Sequence, residues 1–385
     1  MTYETQKINS EEQPEPIIGS LGASILGPTN LSRDLENPDV IRPPRTDQGT
    51  LANLKWSFSD SHMRIEEGGW ARQTTIRELP SSPTIAGVNM RLKSGAIREM
   101  HWHKESEWAF MLKGKARITA VDELGRTFQD DVEEGDLWFF PAGIPHSIQG
   151  LPGDGCEFLL AFDDGDFSED STFLLTDWLA HTPKEVLAKN FGVPEESFAN
   201  IPKKELYIFS SDAPPPLNKD KIAGNGPVPF TFSHRMMAQK PLQMKHGTVR
   251  ITDSSNFPIS KTIAAGLVEI EPGGMRELHW HTNADEWQFY ISGKARMTVF
   301  ASEGIARTFN FQAGDVGSVP FPMAHYIENI GDTTLRFLEL FRSDRFADVS
   351  LAQWLKFTPF ELVKAHLHID ESILNKVSKQ KTPIV

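Results

Sequence analysis

Histidine, glutamate and arginine recur in this chain in one order at two places. The first holds Arg98, His101, His103 and Glu107; the second holds Arg276, His279, His281 and Glu286. Both read Arg-Glu-Met/Leu-His-Trp-His, then a glutamate followed at once by Trp108 or Trp287. A further histidine, His146 or His325, lies 39 positions after each glutamate. It comes after Gly135, Asp136 and Pro141 in the first case, and after Gly314, Asp315 and Pro320 in the second. An isolated His-x-His is usually a surface or hydrogen-bonded feature of a β-protein. A duplicated set of three histidines and one glutamate reads instead as two metal sites. Three imidazoles and one carboxylate, with no thiolate, leave two positions of an octahedral ion open. That donor set suits Mn(II) or Fe(II) better than structural zinc.

The spacing says which elements must carry these groups. In a β-strand, residues i and i+2 face the same way. His101 and His103 therefore aim together with Trp102 opposite, and His279, His281 and Trp280 repeat the arrangement. Glu107 and Glu286 follow a short turn and return on a neighbouring strand, while His146 and His325 arrive by tertiary folding. Arg98, three residues before His101, is expected to face the same pocket. Trp102 and Trp280 read as core or interface aromatics, with an electron relay across stacked subunits as the alternative.

From about Leu54 to Phe162, short apolar runs alternate with turn signals, as in residues 109–112 before Lys113-Gly114 and residues 116–121 before Asp122-Glu123-Leu124-Gly125. This pattern predicts an all-β sandwich or barrel. Residues 173–200 carry apolar positions at helical spacing, and residues 211–229 are rich in proline and polar residues, as a linker is. The second half then repeats the first. Gly114-Lys115-Ala116-Arg117 returns as Gly293-Lys294-Ala295-Arg296, and Trp178-Leu179 returns as Trp354-Leu355. His101 and His279 are 178 positions apart, too long a period for a solenoid, so the chain holds two tandem homologous domains. The expected division is an arm over 1–53, a first domain with loop and helices over 54–210, a linker over 211–229, and a second domain over 230–385. The arm is expected to be extended and packed on a neighbour.

Composition excludes several classes. The 385 residues, 39% hydrophobic and 24% charged, suit two globular domains. A net charge of −13 argues against a nucleic-acid partner. The single cysteine, Cys156, allows neither an intrachain disulfide framework nor a thiolate metal site. No stretch of ~18 apolar residues predicts a membrane span, and the first twenty residues lack the pattern of a secretory signal.

The two halves differ where chemistry is expected. In the aligned runs of residues 158–162 and 337–341, Leu160 of the first half corresponds to Glu339 of the second. If alternate residues face inward, Glu339 is an acid inside the second domain only. From Phe162 to Trp178 there are 16 positions, against 13 from Phe341 to Trp354. The longer first-half segment, residues 163–172, is rich in Gly, Ser and Asp and contains Glu169. It reads either as a solvated acidic turn or as a mobile lid carrying a proton donor.

The motifs resemble those of the cupins, specifically the bacterial bicupin oxalate decarboxylases. Five residues separate Gly95 from His101 and six separate Glu107 from Gly114; Gly273, His279, Glu286 and Gly293 keep the same outer spacings. The second motif appears as Gly135, Pro141, Gly143 and His146, and as Gly314, Pro320, His325 and Asn329. Gly150 stands where the motif has Asn, and Pro322 where it has Gly; both are turn positions. The resemblance runs from about Arg33 to about Val377. It includes the family's Ser-Glu-Asn-Ser-Thr lid, here Ser168-Glu169-Asp170-Ser171-Thr172. It implies two jelly-roll barrels, each followed by a short helical segment, with Mn(II) at both sites and dioxygen as co-catalyst. The implied reaction is oxalate to formate and carbon dioxide, in a hexamer built from two trimers.

On this expectation oxalate binds at the N-terminal metal, Arg98 holds its far carboxylate, and Glu169 on the closed lid handles the proton. Arg276 and Glu339 leave the second site open to a catalytic or a structural role. Oxalate oxidase, which yields peroxide from the same ligand set, is the nearest alternative. A non-enzymatic storage bicupin is the other, and such proteins generally lose their metal ligands. The missing secretory signal points to the cytoplasm, with the spore coat as the alternative.

Overall fold

The alternation around the histidines does produce strands. The computed structural model describes residues 26–385. In the first barrel, the Ile97–Trp102 strand runs antiparallel to His146–Gly150, and His101 lies opposite His146. The 15-residue strand Glu107–Val121 serves both sheets. Its first half pairs with Cys156–Phe162 and Leu137–Phe140, its second with Thr127–Glu133 and His146–Gly150. The change of partners falls at Gly114, which has φ +78°, and a Cβ there would lie 2.0 Å from the Gly155 carbonyl oxygen. Only glycine fits both demands. The strands Ala86–Leu92 and Gly69–Thr74 extend one face of the barrel.

Between the sheets, Met90, Trp138, Phe140, Phe158 and Phe162 are buried in one apolar cluster. Burial of each such side chain contributes about 1.5–3 kcal/mol. The ligand-bearing strands therefore stand on a closely packed wall.

The second barrel repeats the plan. A five-stranded sheet contains Met275–His281, Ala324–Asn329, Lys294–Phe300, Ala306–Gln312 and Asp348–Ser350. A seven-stranded sheet contains Glu286–Ser292, Asp315–Val319 and Leu335–Phe341, with Ala264–Ile270 beyond them. Short helices follow each barrel, Leu175–Ala180 and Lys184–Phe191 after the first, and Leu351–Lys356, Phe360–Leu367 and Glu371–Lys376 after the second.

The compact units depart from the division expected along the chain. One contains residues 60–240 and 252–264, the other residues 26–59, 241–251 and 265–385 among those described. Residues 1–25 of the expected arm lie outside the described residues. The rest of it is neither wholly extended nor free of this chain's own barrel. It forms the short helices Leu31–Glu36 and Pro38–Ile41, and just past its end the edge strand Lys55–Ser57 pairs with Asp315–Val319. Charge matching explains the docking: Arg296 donates to Asp39 at 2.7 Å, Asn310 donates to the same carboxylate, and Thr308 donates to Asp47. The Pro-rich stretch is also held. Asp220 accepts from Arg117 at 2.7 Å and from Gln129 at 3.1 Å, inside the first unit. Among the described residues, no helix is long and apolar enough to cross a membrane.

Candidate metal centres and active site

In the first barrel, His101, His103, Glu107 and His146 are all buried, with one donor atom from each lying within 4.8 Å of the others. Backbone carbonyls set the tautomers. The Nδ1 atoms of His101, His103 and His146 lie 2.6, 2.6 and 2.7 Å from the carbonyl oxygens of Glu99, Glu105 and Ile144. With Nδ1–H donating outward, each Nε2 lone pair is turned inward. Trp138 Nε1 donates to Glu107 Oε1 at 3.0 Å, leaving Oε2 to face the imidazoles. Burial pushes the Glu107 carboxyl up, but His146 and His103 outweigh it and hold it well below the usual range.

The second barrel brings His279, His281, Glu286 and His325 together in the same way. Here Gln288 donates to Glu286 Oε1 at 2.8 Å. His279 and His325 again point Nδ1 at carbonyls two residues earlier, while His281 uses Ala347 at 3.0 Å. Among the described residues, the Nε2 atoms of His146, His279, His281 and His325, and Glu286 Oε2, are buried with no well-aligned hydrogen bond, although Glu286 Oε2 lies 2.7 Å from His325 Nε2 and 3.0 Å from His281 Nε2, and His146 Nε2 lies 3.3 Å from Glu107 Oε2. Buried polar atoms of this kind are costly unless something else satisfies them. Two convergent sets of inward lone pairs fit a cation in each barrel.

Above the first set lie Arg98, Glu169 and a residue the sequence did not single out, Tyr207. Arg98 Nη2 donates to Glu169 Oε2 at 3.0 Å, and the Tyr207 hydroxyl donates to the same oxygen at 2.8 Å. The Glu169 amide donates to Gln73 Oε1 at 3.2 Å. Burial and the Glu169 charge push the Tyr207 phenol well above its ordinary range, so it stays protonated as a donor. Among the described residues, Arg98 Nη1 is buried with no hydrogen-bond partner. One edge of the guanidinium therefore holds the acid, and the other edge is free.

The segment containing Glu169 is short and anchored at both ends. Phe167 is buried, stacked on Phe162 and edge-on to His103. Beyond the segment, Leu174 is buried, and Phe173 stacks on Trp102 at 5.5 Å. Between these anchors Glu169–Ser171 form a single 3-10 turn, with Ser168 Oγ accepting from the Asp170 amide. Glu169 points in, and Asp170 points out with its side chain 80% exposed.

The second barrel disposes of its arginine differently. Arg276 Nε donates to Glu339 at 3.2 Å, Nη2 donates to Asp348 at 2.6 Å, and Nη1 faces the Pro383 carbonyl at 3.5 Å. Lys381 also pairs with Asp348. Glu339 is fully buried on the Leu335–Phe341 strand, and burial pushes its carboxyl up against the pull of Arg276. The loop corresponding to the lid is tied to the ligand set itself. Its Ala347 carbonyl orients His281, and its Phe346 packs on His281 and Phe341. Trp280 meets Trp354 edge-on at 5.5 Å, as Trp102 meets Trp178.

A family model for the cupins matches residues 58–197 and again 236–374. Oxalate decarboxylase OxdC of Bacillus subtilis is 61% identical over 373 residues, 97% of each chain. The chain belongs to the bicupin oxalate decarboxylase family. A probable oxalate decarboxylase of Arthroderma benhamiae is 45% identical over 94% of this bicupin and 91% of its own length. A solved structure of the Bacillus subtilis enzyme at pH 4.6 superimposes with a TM-score of 0.96 at 60% identity, covering 98% of each chain. Another structure of that enzyme, with Mn(II) centres, gives 0.96 over 97% of this bicupin and 99% of its own chain.

All eight predicted ligands fall in the two clusters, and Glu169 and Arg98 meet beside the first. Arg276 and Glu339 pair with each other beside the second. Tyr207, Gln73, Asp348 and Lys381 carried no motif. A cue for Tyr207 existed only in its rarity, since the chain has four tyrosines.

Proposed function

We propose that this bicupin converts oxalate to formate and carbon dioxide with Mn(II) in each barrel and dioxygen as co-catalyst. The N-terminal site, with Glu169 as lid acid, is the main catalytic site. A single observation carries the choice of site: among the described residues Arg98 has a buried Nη1 with no hydrogen-bond partner, whereas Arg276 has each of its nitrogens directed to an acceptor. When bound to the three imidazoles and the carboxylate, manganese supplies a Lewis acid and a one-electron redox centre that offsets the substrate's negative charge.

The chain's own groups do the rest. Arg98 Nη1 donates to the far carboxylate of oxalate in a charge-assisted bond and fixes its orientation. The net reaction breaks the C–C bond, releases carbon dioxide and adds one proton to the remaining carbon, which becomes formate. Glu169 delivers that proton. Its Oε2 is committed to Arg98 and Tyr207, so Oε1 is the atom that bears it. The anchored lid excludes water while the substrate carbon awaits the proton. Exposed apolar side chains on the paired helices, Trp178 and Phe191 in the first barrel and Trp354 and Phe357 in the second, support assembly of the chain into a hexamer.

The test is the Mn-loaded Glu169→Gln variant supplied with oxalate under air, with formate and peroxide measured together. Near-stoichiometric formate from the parent and its loss in the variant are expected. Parental formate turnover in Glu169→Gln would remove the lid acid from the mechanism. Peroxide as the main parental product would mean an oxidase.

A further inference from the structure

The Arg-Glu pair that opens each motif contains a glutamate with no role so far. In the first barrel this is Glu99, 2% exposed and one residue after Arg98. Its carboxylate accepts four hydrogen bonds. Oε1 accepts from the Thr176 amide at 2.7 Å and the Thr176 hydroxyl at 2.6 Å. Oε2 accepts from the amides of Leu206 at 2.9 Å and Tyr207 at 2.8 Å. Its backbone is engaged as well, the amide to the Tyr207 carbonyl at 2.9 Å and the carbonyl to His101 Nδ1 at 2.6 Å.

The partners matter more than their number. Thr176 lies four positions after Thr172, where the chain leaving the lid enters its first helix. Tyr207 has φ +55°, a left-handed conformation that a bulky side chain rarely adopts without outside support. Two successive amides turned toward one carboxylate form an anion nest, which stabilises such a backbone. From it the Tyr207 hydroxyl reaches Glu169.

We infer that Glu99 is a positioning residue for the lid acid: it ties the metal-bearing strand to the far end of the lid at Thr176 and holds Tyr207 where its hydroxyl meets Glu169. This rests on the reading of Glu169 as the proton donor. The second barrel lacks the arrangement. There Glu277 Oε2 accepts from the Ser350 hydroxyl, and Oε1 is buried with no hydrogen-bond partner among the described residues. The corresponding carboxylate therefore holds a single serine hydroxyl at the start of the following helix, and no tyrosine.

The experiment compares Mn-loaded Glu99→Gln with the parent. Glutamine keeps the shape but turns an NH2 group toward two donors, so two of the four bonds are lost. Formate turnover should fall about tenfold or more, the formate-to-peroxide ratio should fall with it, and manganese content should stay parental. Amide exchange at Thr176, Leu206 and Tyr207 should accelerate by about tenfold or more. Thr176→Val, which loses the hydroxyl's bond to Glu99 and its longer bond from the Leu206 amide at 3.2 Å, should lie between the two. Glu277→Gln should leave the product ratio unchanged. A Glu99→Gln protein with parental product ratio and parental exchange overturns the inference. If that variant fails to fold, a parental ratio and parental exchange in Thr176→Val overturn it instead. Should Glu169→Gln retain parental turnover, the lid-acid reading falls on its own, and the exchange rates alone decide whether Glu99 holds the lid.

Discussion

Asp170 is the position at which this lid departs from the family's asparagine, and the geometry sets how much that departure is worth. Its carboxylate lies 3.9 Å from Arg64 Nη1, with 80% of the Asp170 side chain and 30% of the Arg64 side chain exposed. At that separation in water the Coulomb attraction is about 1 kcal/mol. Salt screening and side-chain freedom reduce it to roughly 0–0.5 kcal/mol. The turn itself does not depend on this carboxylate, because Ser168 Oγ accepts from the Asp170 amide. Arg64 is also already committed, to Glu205 at 2.7 Å, to Glu66 at 2.8 Å, and over the Tyr207 ring at 3.7 Å. Asp170→Asn should therefore change the formate-to-peroxide ratio by no more than about twofold, since ~0.4 kcal/mol corresponds to that factor. The difference should disappear at high salt. The assay is product partition from Mn-loaded parent and variant at low and high ionic strength. A change of tenfold or more, or one that persists in high salt, would show that Asp170 acts on Glu169 directly, and the argument from exposure would fail.

Two further outcomes follow from the unequal arginines. Arg98→Lys replaces a planar fork that reaches both Glu169 and the free side of the pocket with one point charge. It should lower kcat/KM for oxalate by about a hundredfold, as expected for a lost charge-assisted bond, with manganese content unchanged by metal analysis. Arg276→Met removes the partner of two buried carboxylates, Glu339 and Asp348. It should destabilise the second barrel by about 3–5 kcal/mol in denaturant unfolding, while the first barrel still yields formate where the fold survives. Equal loss of turnover in both variants at full stability would contradict the assignment of substrate binding to Arg98.

Much of the site was legible along the chain because strand geometry is local. A period of two turns His101 and His103, or His279 and His281, to one face whatever the rest of the molecule does, and duplication made the pattern hard to mistake. The three extra residues before Trp178 marked the segment that carries Glu169, and the Leu160-to-Glu339 difference marked a buried acid, since both can be read by laying one half on the other. The state of each arginine could not be read that way. Arg98 and Arg276 occupy the same motif position. Glu339 and Asp348, 63 and 72 positions later, engage the second, while Glu169 and Tyr207 leave one edge of the first free among the described residues. The arm was likewise opaque. Asp39 shows no amphipathic pattern, and its meaning lies in Arg296 and Asn310, which only folding brings to it. Glu99 was in plain view inside a recognised motif, but its four donors come from Thr176, Leu206 and Tyr207. Periodicity and residue type determined the donors of each metal set and the face they share. Which polar groups beside them are free to act was decided by contacts between residues far apart in sequence, whose hydrogen bonds exist only once the barrel has closed.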